Sequence, residues 1–279
     1  MILVDMSQVM VSNLMVQLGN HQNAPLDENM LRHMFLNTLR KNRKKFSKQY
    51  GEIVLCLDDR KSWRYNTFRY YKSTRKSDRE KSDLDWGYVF DIFSKISTEI
   101  DENFPYKVLK VPEAEADDII GTIVSTETDK EFLILSGDKD FIQLQKYGNV
   151  RQYNPTLDKW ITHDDPEQYL VEHIYKGDAG DGIPNVMTED SFFATKQRGE
   201  RQKPITKKRM EEMANTNDST LIRRINRNAT LIDLENTPQK IKDECMRQFH
   251  LPPKKNGRMI RAYLTEHRLR DLLKNIAEF

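Results

Sequence analysis

Apolar residues along the chain fall into short unbroken runs separated by longer amphipathic stretches. "MILVD" opens the chain and stops on Asp5, and "SQVMVSNLMVQL" continues with helical spacing. "LDENMLRHMFLNTLRKNRKKFSKQYG" reads as a helix closed by Gly51. "EIVLCLDD" is a second buried strand ending on Asp58 and Asp59, "YKVLKV" a third, "EFLILS" a fourth and "NVRQYN" a fifth. Between them "LDWGYVFDIFSKISTEI" and "EAEADDIIGTIVS" carry helical periodicity. Apolar strands alternating with amphipathic helices predict an α/β fold, a mostly parallel central sheet with helices on both faces. After Gly177 the chain turns polar and basic, with helical stretches such as "PITKKRMEEMA" and "NGRMIRAYLTEHRLRDLLKNIAEF". The expected organisation is an α/β core over 1–185 and a smaller helical region over 186–279.

The acids recur at the ends of these strands. Asp5 ends the first and Asp58 the second; Glu115 and Asp118 open the helix after the third. Asp138 and Asp140 follow the fourth, and "GDAGDGIP" adds Asp178 and Asp181. Each has a plain explanation on its own, as a helix N-cap, a favourable charge at a helix N-terminus or an Asp/Gly turn. Their recurrence is what points to chemistry, because ligands of an open parallel sheet bind outside the carboxyl ends of its strands. Carboxylates gathered on one rim cannot all stay ionised without cations. Oxygen donors without histidine or cysteine suit Mg²⁺, with Mn²⁺ able to substitute, rather than zinc. So many acids exceed the needs of one Mg²⁺ and imply two sites. A calcium loop at "DKDFIQLQKYGN" is excluded, since its turn glycine would fall at Gln143.

Charge sharpens this picture. The 279 residues are 37% hydrophobic and 32% charged, and the formal net charge of +2 hides local asymmetry. From Arg60 to Lys81 nine Lys/Arg face two acids, and from Lys196 to Arg209 seven face one. Basic patches beside an acidic centre suit a polyanion approached through a cation. Cys56 and Cys245 are too far apart in sequence to form a metal motif or a disulfide framework, so a reducing, cytoplasmic setting is expected. No apolar run approaches membrane-spanning length.

In their order, "LVDMSQ", "VLCLDD", "EAEADD", "LSGDKDFIQL" and "KGDAGDGIP" resemble the acidic motifs of the 5′-nuclease superfamily of flap endonucleases and 5′→3′ exonucleases. "NVRQYNP", "RGER" and "NIAEF" extend the likeness, which is greatest to bacteriophage members and runs to the C-terminus. The resemblance implies a first metal site drawing on Asp5, Asp58, Glu115, Asp118 and Asp138, with Asp117 as ligand or neighbour, and a second on Asp140, Asp178 and Asp181. It places Asp58, not Asp59, in the ligand register. "YYKSTRK" resembles the start of the helical arch, about residues 60–85, in which Tyr71, Lys72 and Arg75 would face the scissile phosphate. Lys72 and Arg75 lie one helical turn apart and could stabilise transition-state charge, while Tyr71 could stack on a base. Arg64, Arg69 and Lys76 are the further nucleic-acid contacts expected there. The helix-hairpin-helix glycine pattern of the family is absent from "NVMTEDSFFATKQRGERQKPITKK", where Thr195, Lys196, Arg198, Arg201, Lys207 and Lys208 could still grip a duplex backbone.

The implied activity is two-metal hydrolysis of RNA primers and 5′ flaps on duplex DNA during lagging-strand replication, including ribonuclease H activity. The implied partners are branched or nicked duplexes, RNA–DNA hybrids and, in the replisome, a single-stranded-DNA-binding protein. A monomer is expected in the cytoplasm, that of the infected host for a phage member. The chain begins on its first strand without a clamp-binding tail, which leaves a sliding-clamp partnership open. Two rivals fit less well. A haloacid-dehalogenase-like Mg²⁺ phosphatase needs a second Asp two residues after the first, where Ser7 stands. A non-catalytic nucleic-acid-binding module would repel DNA through its unneutralised acids.

Overall fold

The structure, a computed structural model, describes residues 1–20, 26–82, 84–197, 199–252 and 259–279, without the side chains of Asn20 and residues 76–78. Arg198 and the Lys76 side chain therefore lie outside the described residues. In chain order the elements are β1 (Ile2–Asp5), α1 (Met6–Asn20), α2 (Glu28–Tyr50), β2 (Ile53–Leu57), α3 (Arg64–Thr67), α4 (Ser73–Glu80), α5 (Trp86–Asn103), β3 (Lys107–Lys110), α6 (Ala116–Thr126) and β4 (Phe132–Leu135). A 3-10 helix (Lys139–Lys146), β5 (Val150–Asn154), β6 (Lys159–Ile161) and α7 (Pro166–Lys176) follow. Helices α8 (Phe192–Thr195), α9 (Lys207–Ala214), α10 (Ser219–Ile232), α11 (Gln239–His250), α12 (Ile260–Glu266) and α13 (Arg270–Lys274) complete the chain.

The strands form one sheet in the order β3-β2-β1-β4-β5-β6. The first five are parallel, with Ile2 opposite Ile53 and Leu133 and Phe132 opposite Val150. β1, β2 and β4 are buried on both faces, which explains their unbroken apolar runs. The sixth strand, antiparallel to β5, is absent from the sequence reading. "KWI" is short and mostly exposed, with no alternation long enough to mark a strand.

One face of the sheet is covered by α1, α2, α5, α12 and α13, the other by α6, the 3-10 helix and α11. Helix α2 shows how local signals set an element. Asp27 accepts from the Asn29 and Met30 N–H groups at 2.8 and 3.1 Å, and Gly51 ends the helix at φ 82°. Its buried stripe runs through Leu31, Phe35, Leu39, Phe46 and Tyr50. Residues beyond 185 complete both cores. Ile260, Leu264, Leu272 and Phe279 pack with α1 and α2, and Ile241, Cys245 and Phe249 pack against α6.

Candidate active site

Five chain segments meet at the carboxyl edge of the sheet. Asp5 is the last residue of β1 and accepts from Gln8 N at 3.0 Å, so it also caps the first turn of α1. Its other oxygen accepts from Ser136 Oγ at 3.1 Å, at the end of β4. Asp58, just past β2, accepts from Ala116 N at 2.7 Å, where α6 begins. Asp59 turns away and accepts from Glu113 N at 2.9 Å. Asp138 caps the 3-10 helix through Asp140 N at 3.0 Å, leaving Asp140 one residue inside it.

The last segment is a tight hairpin after α7. Gly177 stops the helix at φ 68°, and a Cβ there would lie 2.4 Å from the Ile183 carbonyl oxygen. Asp178 and Ile183 then exchange backbone hydrogen bonds at 2.9 and 2.7 Å, and Asp178 Oδ1 accepts from Gly180 N and Asp181 N. The same hairpin anchors the root of the arch: Lys72, at φ 52°, donates its N–H to Asp181 O at 2.7 Å. Gly182 has φ 69°, and a Cβ there would lie 2.9 Å from Tyr70 O. Glycine permits this close approach.

Tyr71, Glu115, Asp117, Asp140, Asp178 and Asp181 line one cleft. Their electrostatics confirm that like charges crowd one another. Burial, then the charge of Asp58, pushes Asp5 up to about 7. Burial, then Asp5 and Asp138, raises Asp117 well above the carboxylate range. Asp140 rises in the same way from burial, Asp138 and Asp178. Asp178 rises from burial and Asp181. Asp181 itself runs the other way: burial would raise it, but Lys72 and Arg75 outweigh that and hold it below its ordinary value. Among the described residues no hydrogen-bond donor reaches the Asp117 carboxylate. Oxygen donors in this state are what a divalent cation neutralises, so the residues present fit such ions.

Asp118 does not share this role. It is fully buried, and both oxygens are taken: Oδ1 by Thr237 Oγ1 at 2.9 Å, Oδ2 by Arg64 Nη1 and Glu115 N at 2.9 Å and Trp63 Nε1 at 3.2 Å. As the third residue of the α6 capping box it is held away from the cleft that its neighbour Asp117 faces. Arg64, expected on nucleic acid, is its buried partner and donates Nε to Leu231 O at 2.8 Å. Tyr71 does not offer an open stacking face either. It is 2% exposed, and its hydroxyl bonds Glu115 at 2.7 Å and Asp181 at 2.8 Å. Burial and these two carboxylates drive its phenol pKa up.

Lys72 bonds Glu115, and Arg75 bonds Asp181 at 2.5 Å, so both cations stand at the cleft. Lys72 precedes α4 rather than lying within it. Arg69 is exposed and lies over the Tyr70 ring at 4.5 Å. Thr195, Lys196, Arg201, Lys207 and Lys208 are all exposed, on or near α8 and the start of α9, and α8 packs beside α4. His173 is the residue the sequence reading missed. Its Nδ1 lies 3.6 Å from Asp140 Oδ1 and its Nε2 3.9 Å from Asp178 Oδ2. Burial pulls the imidazole below its ordinary value, against the pull of Asp178. The available signal was its position one helical turn before Gly177, in "HIYKGD".

Comparison with known proteins agrees with this geometry. Residues 1–174 match a family model described as the 5′-3′ exonuclease N-terminal resolvase-like domain, and residues 164–279 match one described as T4 RNase H, C terminal. The ribonuclease H of Enterobacteria phage T4 is 34% identical over 99% of this chain and 95% of its own. A 5′-3′ exonuclease of Buchnera aphidicola is 30% identical over 50% of this chain and 49% of its own. The bacteriophage T5 flap endonuclease, solved with DNA and metal ions, shares the fold at TM-score 0.63 and 17% identity, covering 89% of this chain and 97% of that one. The T5 5′-exonuclease with zinc bound does so at TM-score 0.60 and 16% identity, with 89% and 98% covered.

Proposed function

The chain belongs to the 5′-3′ exonuclease family, and on that premise we propose a metal-dependent 5′→3′ exonuclease and flap endonuclease that hydrolyses RNA primers and 5′ flaps on duplex DNA. The observation that carries the reading is the meeting of Asp5, Asp58, Asp117, Asp138, Asp140, Asp178 and Asp181 on one sheet edge beside two cations. Asp5, Asp58, Asp117 and Asp138, with Glu115 at their border, form the first cation site. Asp140, Asp178 and Asp181 form the second. Mg²⁺ is the physiological ion of this reading, with Mn²⁺ as a substitute. Bound divalent cations would lower the pKa of an attacking water and offset charge on the leaving 3′ oxygen.

The chain's own residues supply position and charge. Lys72 and Arg75 sit at the root of the arch, where donors aimed at a phosphodiester oxygen would stabilise the charge that grows during in-line attack. Tyr71 links Glu115 to Asp181 and so fixes one border of the first site against the second. Lys207 and Lys208, exposed in the first turn of α9, place side-chain charge at a helix N-terminus, which suits a duplex phosphate behind the cleavage point. The products are 5′-phosphorylated short oligonucleotides. In this reading the partners are nicked or branched duplexes and RNA–DNA hybrids, with a single-stranded-DNA-binding protein at the fork.

Matched flap, nicked and RNA-primed substrates labelled at the 5′ end test the proposal. Release of short labelled fragments in Mg²⁺, blocked by chelation, is expected. Release of free phosphate from the 5′ end instead would mark a phosphatase and overturn it.

A further inference from the structure

The second cluster of acids is not all oxygen. His173 lies in the last turn of α7, and its two ring nitrogens face Asp140 and Asp178 at 3.6 and 3.9 Å, beyond hydrogen-bond length. One donor atom from each of the three residues lies within 4.8 Å of the others. Donors about 2.1 Å from a shared ion sit roughly 3–4 Å apart, so one ring nitrogen and two carboxylate oxygens within 4.8 Å are near enough for a single ion to draw together. The ring is held in place. Tyr169 packs edge-on against it at 5.9 Å, and the Gly177 stop fixes Asp178 one turn further along. Among the described residues this is the one group of three or more candidate ligands placed so closely together.

We propose that His173 is a nitrogen ligand of the second divalent-cation site, which therefore holds a first-row transition ion such as Mn²⁺ more tightly than an all-oxygen site would, while still accepting Mg²⁺ in the reaction. The inference rests on the two-cation nuclease reading and assigns the donor set of its second site. Imidazole favours transition ions, whereas carboxylate and water favour Mg²⁺. The two sites are then chemically unequal, the first a hard oxygen site and the second a mixed nitrogen–oxygen one.

The test uses the full chain and Mn²⁺ alone. Bound Mn²⁺ is counted by electron paramagnetic resonance, and electron spin-echo modulation reports whether nitrogen is in its coordination sphere. Two bound ions with ¹⁴N modulation are expected. His173→Gln should remove the modulation and weaken one Mn²⁺ site about tenfold while changing Mg²⁺ binding little. Feeding ¹⁵N-histidine to the unmutated protein should change the modulation pattern and assigns it to histidine even where the variant folds poorly. Two bound ions without nitrogen modulation, or modulation that survives in His173→Gln, overturns the assignment of His173 alone. Failure to bind Mn²⁺ at all overturns the two-cation reading along with it.

Discussion

Asp5→Asn is expected to abolish cleavage and, in metal-free protein, to raise stability above neutral pH. Asp5 is 5% exposed and is pushed up to about 7 by burial and by Asp58, from an ordinary value of 3.8. The folded value exceeds the unfolded one. The wild-type contribution is therefore fully present below about pH 3.8 and is lost as pH rises through about 7. Each pH unit in that window is worth about 1.36 kcal/mol, which sets a ceiling of about 4 kcal/mol. Asp58 and Asp138 share this repulsion, so a realised gain of roughly 2–4 kcal/mol is expected for Asn, which keeps an acceptor for Gln8 N. Urea unfolding in chelator at pH 4.5 and pH 8 measures it: the variant should gain on wild type at pH 8 and little at pH 4.5. Mg²⁺ should close most of this gap, because an ion at 100 times its Kd adds about 2.7 kcal/mol to the protein that binds it. Equal destabilisation by Asn at both pH values without metal would refute the electrostatic reasoning.

Asp117→Asn should remove metal-dependent cleavage without loss of metal-free stability, whereas Asp118→Asn should cost about 3 kcal/mol by removing the nearer carboxylate of the buried Arg64 and leaving it only Glu115 at 3.5 Å; chemical denaturation beside a cleavage assay separates them. Lys72→Ala and Arg75→Ala should each raise the barrier of bound substrate by about 3 kcal/mol, read as a single-turnover rate at saturating enzyme. Lys207→Ala with Lys208→Ala should instead weaken duplex binding and reduce its salt slope by about 2, with the single-turnover rate nearly intact. If the arch variants lose only affinity, or the Lys207/Lys208 variant only rate, the two basic patches have been assigned the wrong way round.

The parallel sheet was legible because strands buried on both faces cannot alternate, and "ILV", "IVLCL" and "FLIL" are apolar throughout. The acids at their ends were legible for the same reason, since a carboxylate directly after such a run has few places to point but the sheet edge. What sequence could not decide was orientation. Asp117 and Asp118 are adjacent and chemically identical, and only the capping box on Glu115 turns one to the cleft and the other to Arg64. The basic stretch from Arg60 misled for a related reason: Arg64 looks like its neighbours until Asp118, 54 residues away, claims it in the interior. Tyr71 likewise sits in a basic, aromatic segment that suggests exposure, but two carboxylates from distant segments hold its hydroxyl. His173 was overlooked because a single histidine on an amphipathic helix is a weak signal, and only its place one turn before the "GD" of the hairpin set it apart. The packing of α11, α12 and α13 into both cores was hidden by the polar composition of the region that bears them.

The central claim is that the rim carboxylates hold the cations that hydrolyse a phosphodiester. Asp138→Asn, compared with wild type on one 5′-labelled flap, tests it most directly when binding and single-turnover cleavage are measured on the same samples in Mg²⁺ and in chelator. The account predicts tight binding by both proteins, cleavage by wild type in Mg²⁺ alone, and none by the variant at any Mg²⁺ concentration. Cleavage by wild type in chelator, or near-normal turnover by Asp138→Asn in saturating Mg²⁺, would contradict it.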